Sequence, residues 1–392
     1  MFAWALAALA GAADAHGDVY GPPAGKIFHG GTGGYTERAL VDFGRRSGRR
    51  PAVYQYFFTP NWKRPSPRSI YWQALLIKKT ARQGARPILH LSTARGGHGA
   101  SVITPRQIAR GRGDPYLVRL GRLIAASRQV VYVRLMAEMN NFNNPYCAVG
   151  AGGAARGAAH SPGAFRQAWR RAALILRGGS AARIDKRLRS LGLPAVHGAA
   201  RRLPRTRVSL MWNPFTAGLP NVAGNGPGSY WPGSSYVDWV GTDLFANSPN
   251  FRGLERFYHD TRWRDKPFML GEWALWGRED PSFVRRLVWW VRSHRRARME
   301  VYNQGGRLLR YLRLRSFPSS ARELRRQLRS ARFNAYAPEL KGRRRRPPAH
   351  EPGPPPGEVP PLPPSPPAGL PQLLPGVLPT PSAASSARRA SE

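Results

Sequence analysis

Cysteine is almost missing from this 392-residue chain, where Cys147 stands alone. That excludes an intramolecular disulfide and any Cys-rich metal site. Acids are scarce too, 21 Asp and Glu against 62 Lys and Arg, and lysine supplies little of the excess. The net charge of +41 describes an arginine-dominated surface that attracts polyanions. Neither a zinc-finger spacing nor an RNA-binding signature accompanies the charge, so it predicts non-specific polyanion attraction and no specific nucleic-acid partner. No stretch approaches the roughly 20 apolar residues that cross a bilayer. No Gly-rich dinucleotide fingerprint follows the first candidate strand, which argues against a doubly wound open sheet.

What is present is enough apolar content, 42%, for a sizeable core. The N-terminus carries an apolar run of small residues, without a basic residue beside Met1, and Ala13-Asp14-Ala15 fits an A-x-A cleavage pattern. We read residues 1–15 as a secretory signal, which makes the chain secreted or cell-surface. From Pro338 to Glu392 the composition turns to proline and arginine, including Arg343 to Arg346 and Pro360 to Pro367. Such a stretch buries no core and reads as a disordered tail.

Between residues 16 and 337 strands and helices alternate. Candidate strands cover 26–29, 52–58, 86–92, 130–136, 207–212, 237–245, 266–272 and 299–303. Helix starts are marked by Thr104-Pro105-Arg106-Gln107, an N-cap with a capping-box glutamine, by Ser161-Pro162 and by Asp280-Pro281. Phe283, Leu287 and Val291 then recur on one helical face, and Ser320 with Glu323 spells a further capping box. Residues 178–203 have no place in the repeat and read as an insertion. Eight strands alternating with helices predict a (β/α)8 TIM barrel.

In such a barrel the active site lies at the C-terminal ends of the strands. Two acids fall there: Glu138 at the end of the fourth strand, in VVYVRLMAEMNN, and Glu272 at the end of the seventh, in KPFMLGEWALWG. Asp243 lies near the end of the sixth and reads as a structural acid. A carboxyl kept on a buried strand costs desolvation energy, which favours a chemical role for the glutamates. Glycosidic cleavage with retention needs two carboxyls about 5–5.5 Å apart, one acid/base and one nucleophile. Arg134 needs a buried acidic partner and reads as support for a site carboxylate. Asn140, Trp212, Trp273 and Tyr302, on or after strand ends, are candidate sugar contacts, with Trp231 and Trp276 as rim aromatics and His90 and His98 as weaker candidates.

Read together, several segments resemble glycoside hydrolase family 26, a clan A barrel family best known for β-mannanases. Gly25 to Gly30 lies in the first strand, and the segment ending in Asp114 and Tyr116 resembles the family's G-x-x-D-x-Y. Arg134 to Asn140 resembles R-P-L-H-E-M-N, and Phe165 to Arg170 resembles F-x-x-x-W-R. Trp212-Asn213-Pro214 resembles the W-x-P turn, Tyr230 to Phe245 the sixth-strand motif, and Lys266 to Glu272 K-P-x-x-x-x-E. The resemblance implies Glu138 as acid/base and Glu272 as nucleophile. Two positions depart from it: Ala137 replaces the family's histidine, and Phe245 replaces its tyrosine. It implies a monomeric retaining hydrolase of a β-linked polysaccharide, a β-mannan or related glycan, needing no metal or organic cofactor. The departures keep open a carbohydrate-binding barrel that does not cleave, and the charge keeps open a polyanion-binding surface protein.

Overall fold

The computed structural model describes residues 20–95, 100–198, 201–305 and 309–342. The expected signal segment, His98 and the Pro/Arg-rich stretch beyond residue 342 lie outside them. Eight parallel strands make up the centre: β1 (Ile27–Thr32), β2 (Val53–Phe58), β3 (Arg86–Leu91), β4 (Val131–Leu135), β5 (Val208–Trp212), β6 (Trp239–Phe245), β7 (Phe268–Ala274) and β8 (Ala297–Asn303). Each pairs with its neighbour in sequence, and β1 pairs with β8 from Phe28–Met299 to Thr32–Asn303, closing the sheet. The protein is a (β/α)8 barrel, as the strand spacing predicts. The strands are nearly continuous apolar runs because both of their faces are covered.

Every strand contributes to an apolar plug at the base of the barrel: Phe28, Val53, Ile88, Tyr132, Met211, Trp239, Met269 and Met299, joined by Ala52 and Val301, form one buried cluster. Since side chains alternate along a strand, the next inward positions lie two residues further on. They include Gln55, His90, Arg134 and Asn213. The barrel is therefore apolar at its N-terminal end and polar at its C-terminal end.

The helices are α1 (Glu37–Ser47), α2 (Pro67–Arg82), α3 (Pro105–Ala109), α4 (Asp114–Ser127), α5 (Pro162–Arg177), α6 (Ala181–Ser190), α7 (Phe251–Tyr258), α8 (Pro281–Ser293) and α9 (Pro318–Leu328). Thr104 and Gln107 form their reciprocal capping box at α3. Ser161 and Asp280 cap α5 and α8. The expected box at Ser320 and Glu323 does not form. Proline at the first helical position starts α9 at Pro318, so Ser320 lies inside the helix and its Oγ accepts from the Asp280 N–H at 2.9 Å. Between β5 and β6 the chain makes only two 3-10 turns, Pro227–Tyr230 and Ser234–Tyr236, in place of an α-helix. The expected insertion forms a small excursion around α6, with Gly179 paired to Leu203. At the C-terminal end the fold continues past residue 337, the boundary expected from composition. Leu340 packs on Ala81, and Glu339 pairs with Arg86 at 2.7 Å.

Behind the barrel, Asp114 on α4 accepts Arg171 Nε at 2.7 Å and Nη2 at 2.5 Å, and the Asp114 Oδ2 also accepts the His197 N–H at 2.9 Å. Neither side chain of the ion pair is exposed. Arg171 donates onward to the carbonyls of Pro194 and Ala195, so one pair ties α4, α5 and the excursion together. Arg171→Ala strands a buried carboxylate and should cost about 3–5 kcal/mol in chemical denaturation. The double change Arg171→Leu with Asp114→Leu should recover much of that loss, because no charge is then left unpaired.

Candidate functional site

The polar layer is centred on Arg134, which β4 directs inward two residues after Tyr132. Its Nη1 donates to Glu272 Oε1 and lies 3.1 Å from His90 Nδ1, while Nη2 donates to Asp243 Oδ2 at 2.5 Å. Arg134, Asp243 and Glu272 are all buried. Gln55 donates to Glu272 Oε1 at 3.0 Å, and Asn303 donates to Oε2 at 2.6 Å. Glu272 thus takes donors from β2, β4 and β8.

A bulge in β7 makes that convergence possible. The register between β6 and β7 runs Thr242–Leu270 and then Asp243–Glu272, so Gly271 is the extra residue. Strict alternation from Met269 would turn Trp273 inward and Glu272 outward; the extra residue reverses both. Gly271 is required there because a Cβ would stand 2.0 Å from Asn213 Oδ1 and 3.1 Å from Arg134 Nε.

Glu138 arrives by a different route. After β4 ends, Met136 and Glu138 both adopt positive φ, 44° and 53°. Left-handed backbone at non-glycine residues costs on the order of 1–3 kcal/mol each and persists only where the surroundings impose it. Here the Met136 N–H donates to the Leu91 carbonyl at 2.8 Å, and the Glu138 N–H donates to the Asn213 carbonyl at 2.6 Å. Asn144 Nδ2 donates to the Glu138 carbonyl at 3.0 Å. The carboxyl accepts Asn141 Nδ2 at 3.1 Å on Oε2 and lies against Asp243.

One guanidinium faces three carboxyls, so protons must make up the balance. The Asp243 carboxyl is hydrogen-bonded with that of Glu138, and two carboxyls bond to each other only with a proton between them. Burial drives Asp243 well above the ordinary carboxylate range, opposed by Arg134 and reinforced by Glu138. Burial also raises Glu138, with the charge of Glu272 adding to it and the bonds to Asp243 and Asn141 opposing it. Glu272 is pushed up by burial as well, but Arg134 opposes the push and three N–H donors favour its ionised form. Burial and the adjacent Arg134 hold His90 well below the ordinary histidine range, so it is neutral and accepts from Arg134 through Nδ1.

The structure therefore brings Glu138, Glu272, Arg134, Asp243 and His90 into one contact network, and separates four other expected residues from it. Trp273 is fully buried behind the barrel, where its Nε1 donates to Glu300 at 2.6 Å and its ring meets Tyr302 edge-on. Tyr302 is spent on the Leu312 carbonyl at 2.9 Å and on stacking with Phe43. Trp212 lies fully buried among Trp231, Phe257 and Trp263. One physical reason covers all three: each directly adjoins an inward residue, Glu272, Asn303 or Met211, and so faces the helices. Asn140 is a loop clamp, donating to the carbonyls of Phe215 and Ala217 and accepting the Phe215 N–H at 2.8 Å. None of the four is free to contact a sugar.

Gln55 and Asn303 are site residues that the sequence reading passed over. Their signal was an amide inside an apolar strand, VYQYFF, and an amide closing the eighth strand. A half-buried aromatic group, Phe245, Trp276 and Tyr311, also packs together at the C-terminal end of β6 and β7, with ring centroids of Phe245 and Trp276 4.7 Å apart.

The chain matches no protein-family model and no curated protein. Its fold is similar to that of a double mutant of the Cellulomonas fimi endo-beta-1,4-mannanase, at TM-score 0.55 and 15% identity over 84% of this chain and 78% of that one. A GH26 beta-mannanase from Bacteroides ovatus gives TM-score 0.53 and 15% identity over 79% of this chain and 90% of that one. The Bacillus subtilis mannanase man26 gives 0.50 and 14% over 82% and 90%. These likenesses concern the barrel fold.

Gly271→Ala should lower thermal stability sharply, by more than the roughly 1–3 kcal/mol of ordinary overpacking, because a short buried amide cannot retreat from the new methyl. A double-mutant cycle with Asn213→Ala tests the cause: the two changes should cost markedly less together than their sum.

Proposed function

We propose that this protein is a retaining glycoside hydrolase acting on a β-linked polysaccharide, a β-mannan or a related β-glycan. The observation that carries the reading is the pairing of two glutamates at one barrel mouth in unlike surroundings. Glu138 is partly buried and shares a proton with Asp243, whereas Glu272 is buried and held by three N–H donors. Different environments on two carboxyls are what acid/base and nucleophile roles require. The similarity to solved mannanase barrels supports the same reading.

In this reading Glu138 protonates the departing glycosidic oxygen while Glu272 attacks the anomeric carbon. Glu138 then removes a proton from the water that releases the glycosyl group, and the anomeric configuration is kept. Arg134 and Asn303 hold Glu272 in position, so its attack needs no rearrangement of the carboxylate. The proton shared with Asp243 is the one Glu138 delivers, and in the resting site it keeps a third carboxylate charge out. Neutral His90 faces Arg134 without adding a charge. The rim aromatics Phe245, Trp276 and Tyr311 offer apolar faces of the kind that stack on sugar rings.

Glu272→Ala should reduce turnover on a panel of β-mannans and β-glucans by roughly 10⁴-fold or more, with partial rescue by azide. Full turnover in that variant would overturn the assignment, and so would inversion of the first-formed product seen by proton NMR. A barrel that binds but does not cleave would show glycan affinity with no product from the native chain.

The pH profile gives a second check. Glu138 must be protonated, so its ionisation sets the alkaline limb of kcat/KM; Glu272 must be ionised, so its protonation sets the acid limb. Burial raises both, which places the bell above the ordinary glutamate range. Asn141 stabilises the charged form of Glu138 by donating to it. Its loss in Asn141→Ala should move the alkaline limb to higher pH and leave the acid limb in place.

A further inference from the structure

Many acids among the described residues pair with an arginine, but Glu255 is flanked by two histidines instead. Glu255 lies on α7, and its Oε1 stands 3.1 Å from His259 Nε2 and 3.2 Å from His294 Nε2. His259 follows the last residue of α7, and His294 follows the last residue of α8. Among the described residues no arginine or lysine pairs with this carboxylate.

The donor bookkeeping at these three side chains closes only with a positive charge, either a second proton on His294 or a bound cation. His294 Nδ1 lies 2.7 Å from the Trp290 carbonyl. A carbonyl only accepts, so Nδ1 carries the hydrogen, and the neutral ring presents a lone pair at Nε2. That lone pair faces a carboxylate oxygen, which also only accepts. His259 approaches the same oxygen from the other side. A positive centre between the three atoms resolves the conflict, and a single divalent ion can serve all of them.

The spacing fits such an ion. In a tetrahedral site with bonds of about 2.0–2.1 Å, ligand atoms stand about 3.3 Å apart. Two of the three separations here are 3.1 and 3.2 Å, and all three ligand atoms lie within 4.8 Å of one another. The supporting shell is already built. Trp290 Nε1 donates to Glu255 Oε2 at 2.7 Å, which leaves Oε1 for the ion. The Trp290 ring stacks on His294 with centroids 4.1 Å apart, and Tyr258 meets the same imidazole edge-on at 4.8 Å. Fixing the outer nitrogen and the ring plane is how metal-ligating histidines are set.

We propose that Glu255, His259 and His294 form a binding site for a divalent transition-metal ion of the zinc class. Two imidazoles and one carboxylate are the donor set that zinc takes with water in a fourth position. The ion would join the C-terminal ends of α7 and α8, at the end of the barrel opposite Glu272. Its role is to clamp the sixth and seventh repeats, and it takes no part in glycan chemistry.

The full-length chain, freed of metal with a chelator, is titrated with zinc chloride by calorimetry and followed by thermal denaturation. One zinc per chain and a zinc-dependent rise in Tm are expected. His259→Ala and His294→Ala should each weaken binding by roughly 10-fold or more and remove the rise in Tm. The His259 side chain is 66% exposed, so its loss should leave the metal-free Tm unchanged. Cobalt(II) in place of zinc should give the visible absorption of a four-coordinate site, lost in both variants. Absence of a zinc effect on the native chain would overturn the proposal. So would a zinc effect of equal size in the two variants, which would place binding at other side chains.

Discussion

A single buried guanidinium sets the terms for the rest of the molecule. Arg134 stands at the boundary between an apolar plug and a polar mouth, and its five donors cannot be left without acceptors in a medium that excludes water. Asp243 and Glu272, from two adjacent strands, accept from its two Nη atoms, with His90 beside Nη1. That arrangement brings more negative charge to the mouth than one cation can balance, with Glu138 added from the loop after β4. The excess is relieved by a proton on the Asp243–Glu138 pair. Unequal environments for Glu138 and Glu272 therefore follow from charge balance around Arg134.

The backbone pays for this arrangement in two places. Gly271 gives up the alternation of β7, and Met136 and Glu138 give up ordinary helical or extended backbone. Each departure lies within one or two residues of a carboxyl that must face the mouth. Regular strands would have delivered Trp273 to the interior instead of Glu272. The bulge and the left-handed pair serve that aim, and the hydrogen bonds that Met136 and Glu138 donate to the Leu91 and Asn213 carbonyls hold the pair in place.

The sequence segments that resemble a hydrolase family divide into two groups in the structure. Arg134, Glu138, Asp243 and Glu272 face the mouth. Asp114, Tyr116, Trp169, Arg170 and Asp238 instead fasten helices and loops behind it. Trp169 Nε1 donates to the Tyr236 carbonyl at 3.0 Å, Arg170 Nε to the Pro232 carbonyl at 2.8 Å, and Asp238 accepts the Leu210 N–H at 2.8 Å. A motif can thus mark the frame that holds a site as well as the site.

Read alone, the sequence determined the barrel, the order of its strands and the acids at their C-terminal ends. Continuous apolar runs, helix starts with proline at the first position, and isolated carboxyls after apolar strands are local signals with local physical causes. The aromatics were a different matter. Trp212, Trp273 and Tyr302 sit at strand ends, but whether such a residue faces a ligand or the helices turns on a one-residue change of parity. Asn140 is equally ambiguous, since an amide serves a sugar hydroxyl or a loop carbonyl with the same atoms. Gln55 and Asn303 gain their meaning only from partners 217 and 31 residues away in sequence. Only the tertiary structure decided these points, because the bulge at Gly271 and the convergence on Glu272 exist between strands and within none of them.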